Sequence, residues 1–299
     1  MSLPQLFSQA ISQFRVDGRT LLWKAYRSFG KSVTLQTKQG RFTLPLTIDD
    51  PISKSLFIRK QFEHDIATEA MKFIRQYRGI PKGQGTIVDI GANNGVISIG
   101  MLTNKELSKA VCIEPAPQNF AYLTHNIALN KLSEHVTTLN FAVSDSETFL
   151  DFELSSENYG DHRIRKSVSH TSDKYNESQR KVIQVPCKPL QGLLQSVDSA
   201  VTNQITVFWM DVQGHEGYIF RGAKDLFSTG IPLVTEVWPY GLLRSGMSLE
   251  EYAALVQEIW SFYWVKRRGR FIKYPTQMFS PYLDELGSDG YSENIILTQ

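Results

Sequence analysis

The chain has 299 residues, 41% hydrophobic and 21% charged, with a formal net charge of +2. That is enough chain for a full core, as one large α/β domain or a domain with an appendage. The near-even charge gives no electrostatic case for a nucleic-acid partner, no apolar run has the length of a membrane span, and no signal-peptide pattern opens the sequence. A cytoplasmic protein without an integral membrane segment is expected. Cys112 and Cys187 have neither metal-type nor redox-type spacing, which points weakly to a reducing compartment.

Residues 3–29 read as mostly helical through Leu6, Phe7, Ile11, Phe14, then Leu21, Leu22, Ala25, Tyr26 and Phe29, with a break expected at Asp17-Gly18. Strand-like runs at 33–37 and 41–46 flank Lys38-Gln39-Gly40, which predicts a hairpin. Apolar residues near helical spacing predict a helix over 55–77, ended by Gly79-Ile80-Pro81-Lys82-Gly83. Residues 1–82 are therefore expected to form a small helix–hairpin–helix cap, and 83–299 the main domain. The cap either covers a ligand, shapes a cleft, packs structurally or makes a homo-oligomer contact; the sequence does not choose.

The organising stretch is Thr86-Ile87-Val88-Asp89-Ile90-Gly91-Ala92-Asn93-Asn94-Gly95, followed by a helical run from Val96. It reads as a buried strand, a glycine turn and a helix start, with the free N–H groups of the helix gathered at the turn. The next strand, Ala110-Val111-Cys112-Ile113, ends at Glu114-Pro115. An acid at the tip of the second strand of an α/β unit commonly accepts hydrogen bonds from ribose hydroxyls. Two acids beside a ligand suit a cation better than a pyrophosphate. Gly91-Ala92-Asn93-Asn94-Gly95 also lacks the middle glycine of a dinucleotide fingerprint. These features favour S-adenosylmethionine over NAD.

Beyond this, strands alternate with helices, which implies a largely parallel sheet with helices on both faces, seven strands in all. A helix is expected over 117–130 and a third strand over 136–141. Ala142-Val143-Ser144-Asp145 follows at its tip, where an adenine would lie; Asp145 either bonds the adenine amino group or starts a turn. Residues 146–190 depart from the alternation. Two strands, 148–154 and 181–185, enclose a polar stretch containing Asn158-Tyr159-Gly160-Asp161-His162-Arg163 and a Ser/Lys-rich segment, expected to lie over the active site or to be a solvated insertion. A short helix is expected over 190–197. Strand 205–210 ends at Asp211-Val212-Gln213-Gly214-His215-Glu216, a helix spans 216–227, and strand 231–235 ends at Glu236. A helix over 248–260 has capping-box spacing in Ser248 and Glu251, and strands follow at 261–265 and 294–298. The basic cluster Lys266-Arg267-Arg268-Gly269-Arg270 reads first as a solvated turn.

Asp89, Glu114, Asp211 and Glu236 all fall at carboxyl ends of strands, where open α/β sheets bind ligands. Buried carboxylates are costly, so four at strand tips point to function. Two would serve the cofactor. Asp211, His215, Glu216 and Glu236 would face the substrate, with His215 as general base or Asp211 orienting it or taking the proton itself. A second reading has Asp211, His215 and Glu236 hold a divalent metal; no resident metal is assumed.

Taken together, Val88-Asp89-Ile90-Gly91-Ala92-Asn93-Asn94-Gly95, Glu114-Pro115-Ala116-Pro117-Gln118-Asn119-Phe120, Leu123, Asn126, Asn130 and Ala142-Val143-Ser144-Asp145 resemble the FkbM family of S-adenosylmethionine-dependent methyltransferases. Met210-Asp211-Val212-Gln213-Gly214-His215-Glu216, Gly222-Ala223 and Glu236 resemble that family's second block, with Gln213 in place of the usual Glu. The resemblance covers about residues 86–240. It implies a class I, Rossmann-like methyltransferase fold and methylation of a hydroxyl on a sugar, glycan or polyketide-type molecule. Asp89, Gly91 and Gly95 would carry the methionine end, Glu114 the ribose, and Ala142 and Val143 the adenine. Asn93, Asn119 and Asp145 complete the candidate cofactor residues. Rival readings are a dinucleotide oxidoreductase and a non-catalytic partner protein of the same fold.

Overall fold

The computed structural model describes residues 3–165 and 173–299. Helix α1 (Leu3–Phe29) runs unbroken through Asp17-Gly18, contrary to the expected interruption. A helical glycine costs only about 1 kcal/mol, and anchors beyond it hold the helix down. Arg19 donates to the Ile58 carbonyl at 3.0 Å, and the buried Trp23 donates to Asp49 at 2.7 Å. Strands β1 (Ser32–Thr37) and β2 (Gly40–Pro45) form an antiparallel hairpin. The helix expected over 55–77 is two, α2 (Pro51–Arg59) and α3 (His64–Arg78), separated by left-handed turns at Lys60 and Glu63. The break is held from outside: the Phe62 N–H donates to Gln39 of the hairpin turn, while Gln39 itself donates to the Val96 carbonyl.

The main chain order continues as β3 (Thr86–Ile90), α4 (Val96–Thr103), β4 (Lys109–Ile113), α5 (Pro117–Leu129), β5 (Val136–Leu139), β6 (Ala142–Val143), β7 (Thr148–Leu154), β8 (Arg163–Ile164), β9 (Lys181–Lys188), α6 (Leu190–Gln195) and α7 (Ser199–Thr202). It closes with β10 (Ile205–Met210), α8 (Glu216–Gly222), α9 (Lys224–Phe227), β11 (Leu233–Val237), α10 (Pro239–Arg244), α11 (Leu249–Ile259), β12 (Phe262–Arg267), β13 (Arg270–Pro275), α12 (Phe279–Leu286) and β14 (Glu293–Thr298).

The large sheet has the order β13-β12-β14-β11-β10-β3-β4-β5, parallel from β11 to β5 and antiparallel at the β13 end. It has eight strands among the described residues rather than the seven expected. The additional strand is β13, whose alternation of Arg, Phe, Ile and Lys is exposed and weakly patterned. The basic cluster is the turn between β12 and β13, with Lys266 paired to Glu69 and Arg267 to Glu293.

Period-two alternation sorts the central strands onto two cores. Val88, Ile90, Phe208 and Met210 pack on one face with Phe220 of α8 and Tyr252 and Val256 of α11. Ile87, Val207 and Trp209 pack on the other with Met71 of α3, Ile99 of α4 and Leu123 of α5. The hairpin completes this second face, and Asn126 of α5 and Asn130 just past its end accept the backbone N–H groups of Thr43 and Arg41, each at 2.8 Å.

The strands β6, β7, β8 and β9 do not join the large sheet. They make a separate sheet, β6-β9-β7-β8, with a small apolar cluster of Phe152, Ile164, Val185 and Cys187. Beside it lies a buried ionic network: Arg180 and Arg163 both engage Asp161, Arg163 stands 3.6 Å from both Glu153 and Glu177, and Arg180 lies 3.5 Å from Glu153. The expected Ser/Lys-rich segment falls largely on residues 166–172, outside the described residues.

Candidate active site

β3 and β10 are adjacent, with Asp89 opposite Trp209 and Ile90 opposite Met210. The chain leaves β3 toward one end of the sheet and β10 toward the other, so the carboxyl ends of these strands form a switch-point crevice. A cavity of ≈ 280 Å³ occupies it, near the lower end of the range for small-molecule sites. Asp89, Gly91, Asn93, Glu114, Asn119, Ala142, Val143, Asp211, His215 and Glu236 line it together, although they come from five separate stretches of sequence.

The glycine turn is set by backbone geometry. Gly91 has φ of +88°, and a Cβ there would meet the Asp211 carbonyl oxygen at 2.0 Å. Gly95 is not a lining residue; its φ is also +88°, and a Cβ would press on Leu123 at 2.8 Å and Ile99 at 2.9 Å. Asp89 accepts the Ser98 hydroxyl at 2.6 Å. Glu114 accepts two backbone N–H groups, from Asn93 and Ala116, both at 2.8 Å. Its carboxylate thus fixes the turn as well as facing the cavity.

At the opposite wall, Gln213 donates to Asp211 at 2.5 Å and lies 3.4 Å from Glu236, which also accepts the Ser292 hydroxyl at 2.7 Å. The amide therefore bridges two carboxylates that would otherwise repel. Gln213 adopts a left-handed φ of 56°. His215 is buried, its Nε2 is 2.8 Å from the Ser144 hydroxyl, and its ring stacks on Tyr218. Gln213 thus bonds Asp211 and Ser144 bonds Nε2 of His215, and both of these expected catalytic residues face the same cavity. Glu216 does not line the cavity; it accepts the N–H groups of Val212 and Gly214 at 3.2 and 3.3 Å and braces the turn from behind. Asp145 lies outside the lining too, paired with Arg221 at 3.2 Å. Among the described residues no group of three His, Cys, Asp or Glu side chains forms a metal site, so Asp211, His215 and Glu236 are not arranged as one.

Several cavity residues were not singled out as site residues from the sequence. Glu63, in the left-handed turn before α3, reaches the cavity beside Phe62, and Pro51 and Ile52 of α2 join them. Thus the N-terminal unit supplies part of the wall. Asn158, Tyr159, Gly160 and His162 come from the polar stretch expected over the site. The Tyr159 peptide is held on both sides. Its N–H donates to Asp50 at 2.9 Å, and its carbonyl accepts from Asn119 at 2.9 Å and Asn93 at 3.1 Å. The Asn158-Tyr159-Gly160 run was the available signal; for Glu63 there was none, because its role depends on a helix break imposed by Gln39.

The electrostatics are one-sided. Five carboxylates line the cavity and, among the described residues, no Lys or Arg does. Burial pushes Asp89, Glu114 and Glu63 up to about 7, with the neighbouring Asp211 adding to Glu63 and Asp89. Burial also raises Asp211, and it raises Glu236 well above the usual carboxylate range, with the Asp211 charge next. A positive ligand would relieve this repulsion, which is the fit expected for a sulfonium nucleoside with a free ammonium group.

A model of the methyltransferase FkbM domain matches residues 89–267. No protein of curated function matches the chain at a significant level. Among solved structures, it is similar to methyltransferase FkbM from Methylobacillus flagellatus KT, at 13% identity and TM-score 0.45, covering 84% of this chain and 56% of that one. It is also similar to P. horikoshii TYW2 in complex with MeSAdo, at 13% identity and TM-score 0.41, covering 90% and 71%. The M. jannaschii tRNA m1G37 methyltransferase follows at 12% identity and TM-score 0.42, covering 90% and 56%. The chain thus spans little more than half the length of the M. flagellatus protein.

Proposed function

We propose that this chain, which belongs to the FkbM family of methyltransferases, transfers a methyl group from S-adenosylmethionine to a hydroxyl of a sugar, glycan or polyketide-type small molecule. The observation that carries this reading is the cavity of five carboxylates without a Lys or Arg among the described residues, at the switch point of the sheet. A dinucleotide pyrophosphate would be repelled there.

S-adenosylmethionine supplies an electrophilic methyl group on a positively charged sulfur. Asp89 and Glu63 would attract that end of the cofactor, Glu114 and Asn119 the ribose, and Ala142 and Val143 the adenine. The Tyr159 peptide, clamped by Asp50, Asn93 and Asn119, would close the chamber against water. On transfer the acceptor oxygen gains a methyl group and loses its proton. Asp211 and Glu236, bridged by Gln213, are the groups we assign to hold that proton; their raised proton affinity suits a proton acceptor once a positive charge lies beside them. His215 would orient Ser144 at the adenine edge. Positioned proton transfer of this kind is worth about 10²–10⁴-fold in rate.

The test is calorimetric titration with S-adenosylmethionine beside NAD, followed by transfer of an isotope-labelled methyl group to hydroxylated acceptors. Binding of S-adenosylmethionine, weakened in Asp89→Asn, and label on an acceptor oxygen are expected. Preferential NAD binding, or label on nitrogen or carbon alone, would overturn the assignment.

A further inference from the structure

We propose that helix α1 is a docking surface for an anionic lipid bilayer, and that it lies along the bilayer without crossing it. The proposal stands apart from the methyl-transfer reading, because among the described residues none of α1 lines the cofactor cavity. The helix has 27 residues and two unlike faces. Arg19, Trp23 and Arg27, at i, i+4 and i+8, turn toward the domain. Arg19 donates to the Ile58 carbonyl, the Trp23 ring stands 5.4 Å from that of Phe57, and Arg27 lies 3.4 Å from Asp49. The other face carries Leu21, Leu22, Ala25 and Phe29. Leu21 is 70% exposed, Leu22 52% and Phe29 94%. Leu22, Ala25 and Phe29 stand at i, i+3 and i+7 and so form one apolar ridge. A contiguous exposed apolar patch marks an interaction site.

Shape and charge choose the occupant. The apolar side chains project as a ridge and line no groove, which suits insertion into the deformable boundary between lipid headgroups and acyl chains. Charge then selects the lipid. Five of the chain's 32 Lys and Arg fall within residues 15–31, as Arg15, Arg19, Lys24, Arg27 and Lys31, against one of its 30 Asp and Glu, Asp17. The rest of the chain is therefore net negative, and its overall positive charge comes from this helix and the residues just past it. Lys24 flanks the ridge, Lys31 follows its last residue, and both are exposed. Basic groups beside an inserted apolar face are drawn to anionic headgroups. A second copy docked on the same face would instead set these lysines against their like. Among the described residues no helix is long and apolar enough to cross a membrane, so α1 lies in the plane of the interface. Its inner face packs on α2, which supplies Pro51 and Ile52 to the cofactor cavity, so the docked surface stands one helix away from the chamber.

The experiment is co-sedimentation of the full chain with vesicles of phosphatidylcholine alone and of phosphatidylcholine mixed with phosphatidylglycerol, at low and high salt, beside analytical ultracentrifugation without lipid. Binding to the phosphatidylglycerol vesicles is expected, in preference to phosphatidylcholine and weakened by salt. The double variant Leu22→Glu with Phe29→Glu is expected to weaken that binding roughly tenfold or more. Its melting temperature should hold, since both side chains are exposed. Lys24→Glu with Lys31→Glu is expected to lose the preference for the anionic lipid. Absence of vesicle binding, equal binding to both vesicles, or unchanged binding by the Leu22→Glu, Phe29→Glu variant overturns the proposal. Self-association of the parent chain that this variant abolishes, without vesicle binding, overturns it too and gives the face to a second copy.

Discussion

The large sheet and the small sheet over the crevice are held together by different forces. In the large sheet, central strands such as β10 bury Val207, Phe208, Trp209 and Met210, and each residue goes to one of two apolar cores. The small sheet has only a handful of buried apolar side chains, and much of its interior is Arg163, Arg180, Glu153, Asp161 and Glu177. Burying apolar area is non-directional and tolerates many arrangements. A buried ionic network tolerates few, because each charge left without its partner is costly. The region that lines the crevice from above is therefore the more exacting of the two, though the less apolar.

The largest effects should come from breaking each region in its own way. Phe208→Ala removes a fully buried ring and is expected to cost about 3–5 kcal/mol. The loss should appear across the whole large sheet in urea unfolding. Arg180→Ala removes one of the two guanidinium groups on Asp161 and one of the three beside Glu153, leaving buried carboxylates undercompensated, and is expected to cost a similar ~3–5 kcal/mol. Here hydrogen exchange should accelerate in β7 and β9 while β3 and β10 stay protected. Uniform acceleration in both variants would erase the distinction between the regions.

A smaller effect concerns pH. Asp89, Glu114 and Glu63 hold their protons up to about 7 in the fold, above the ordinary carboxylate range that applies when the chain is unfolded. The folded form therefore binds more protons between those limits, and the stability of the cofactor-free protein falls as pH rises from about 5 to 7. A melting temperature higher at pH 5.5 than at pH 7.5 is expected in scanning calorimetry. The affinity for S-adenosylmethionine should run the other way, rising about tenfold or less over the same interval, since one pKa unit corresponds to a factor of ten. The uncharged sulfur of S-adenosylhomocysteine should weaken that dependence.

The smallest expected change sharpens the link between the two regions. Asn119→Ala removes one of the two amides on the Tyr159 carbonyl. A loss of about 1 kcal/mol in cofactor affinity, severalfold by calorimetry, is expected with little change in melting temperature. An unchanged affinity would mean that neither the Asn119 amide nor the clamp it completes bears on the cofactor.

The same contrast explains what could be read from the sequence. β3, β10 and β11 announce themselves because apolar continuity is the signal of a doubly covered strand, and the acids at their tips follow from that. The glycine turn was legible because three residues there, Gly91, Asn93 and Gly95, have positive φ and two of them are glycine. The small sheet was only half legible. Strands β7 and β9 alternate, but pairing among Arg163, Arg180 and Asp161 leaves no periodic trace. The helix break at Lys60 was invisible because its cause, Gln39, lies on another element. β13 escaped because an exposed edge strand carries little hydrophobic pattern. His215 was legible as a cavity residue by type and spacing, but its hydrogen bond to Ser144, seventy-one positions away and just past β6, leaves no trace in the sequence.

The close approach of Gly91 to the Asp211 carbonyl makes the two turns that line the crevice mechanically a single part. Neither can be displaced without moving the other, so a distortion of the turn at Gly91 arrives at the turn at Asp211 with no intervening side chain to absorb it. Even the smallest enlargement at position 91 should therefore disturb turnover as much as cofactor retention.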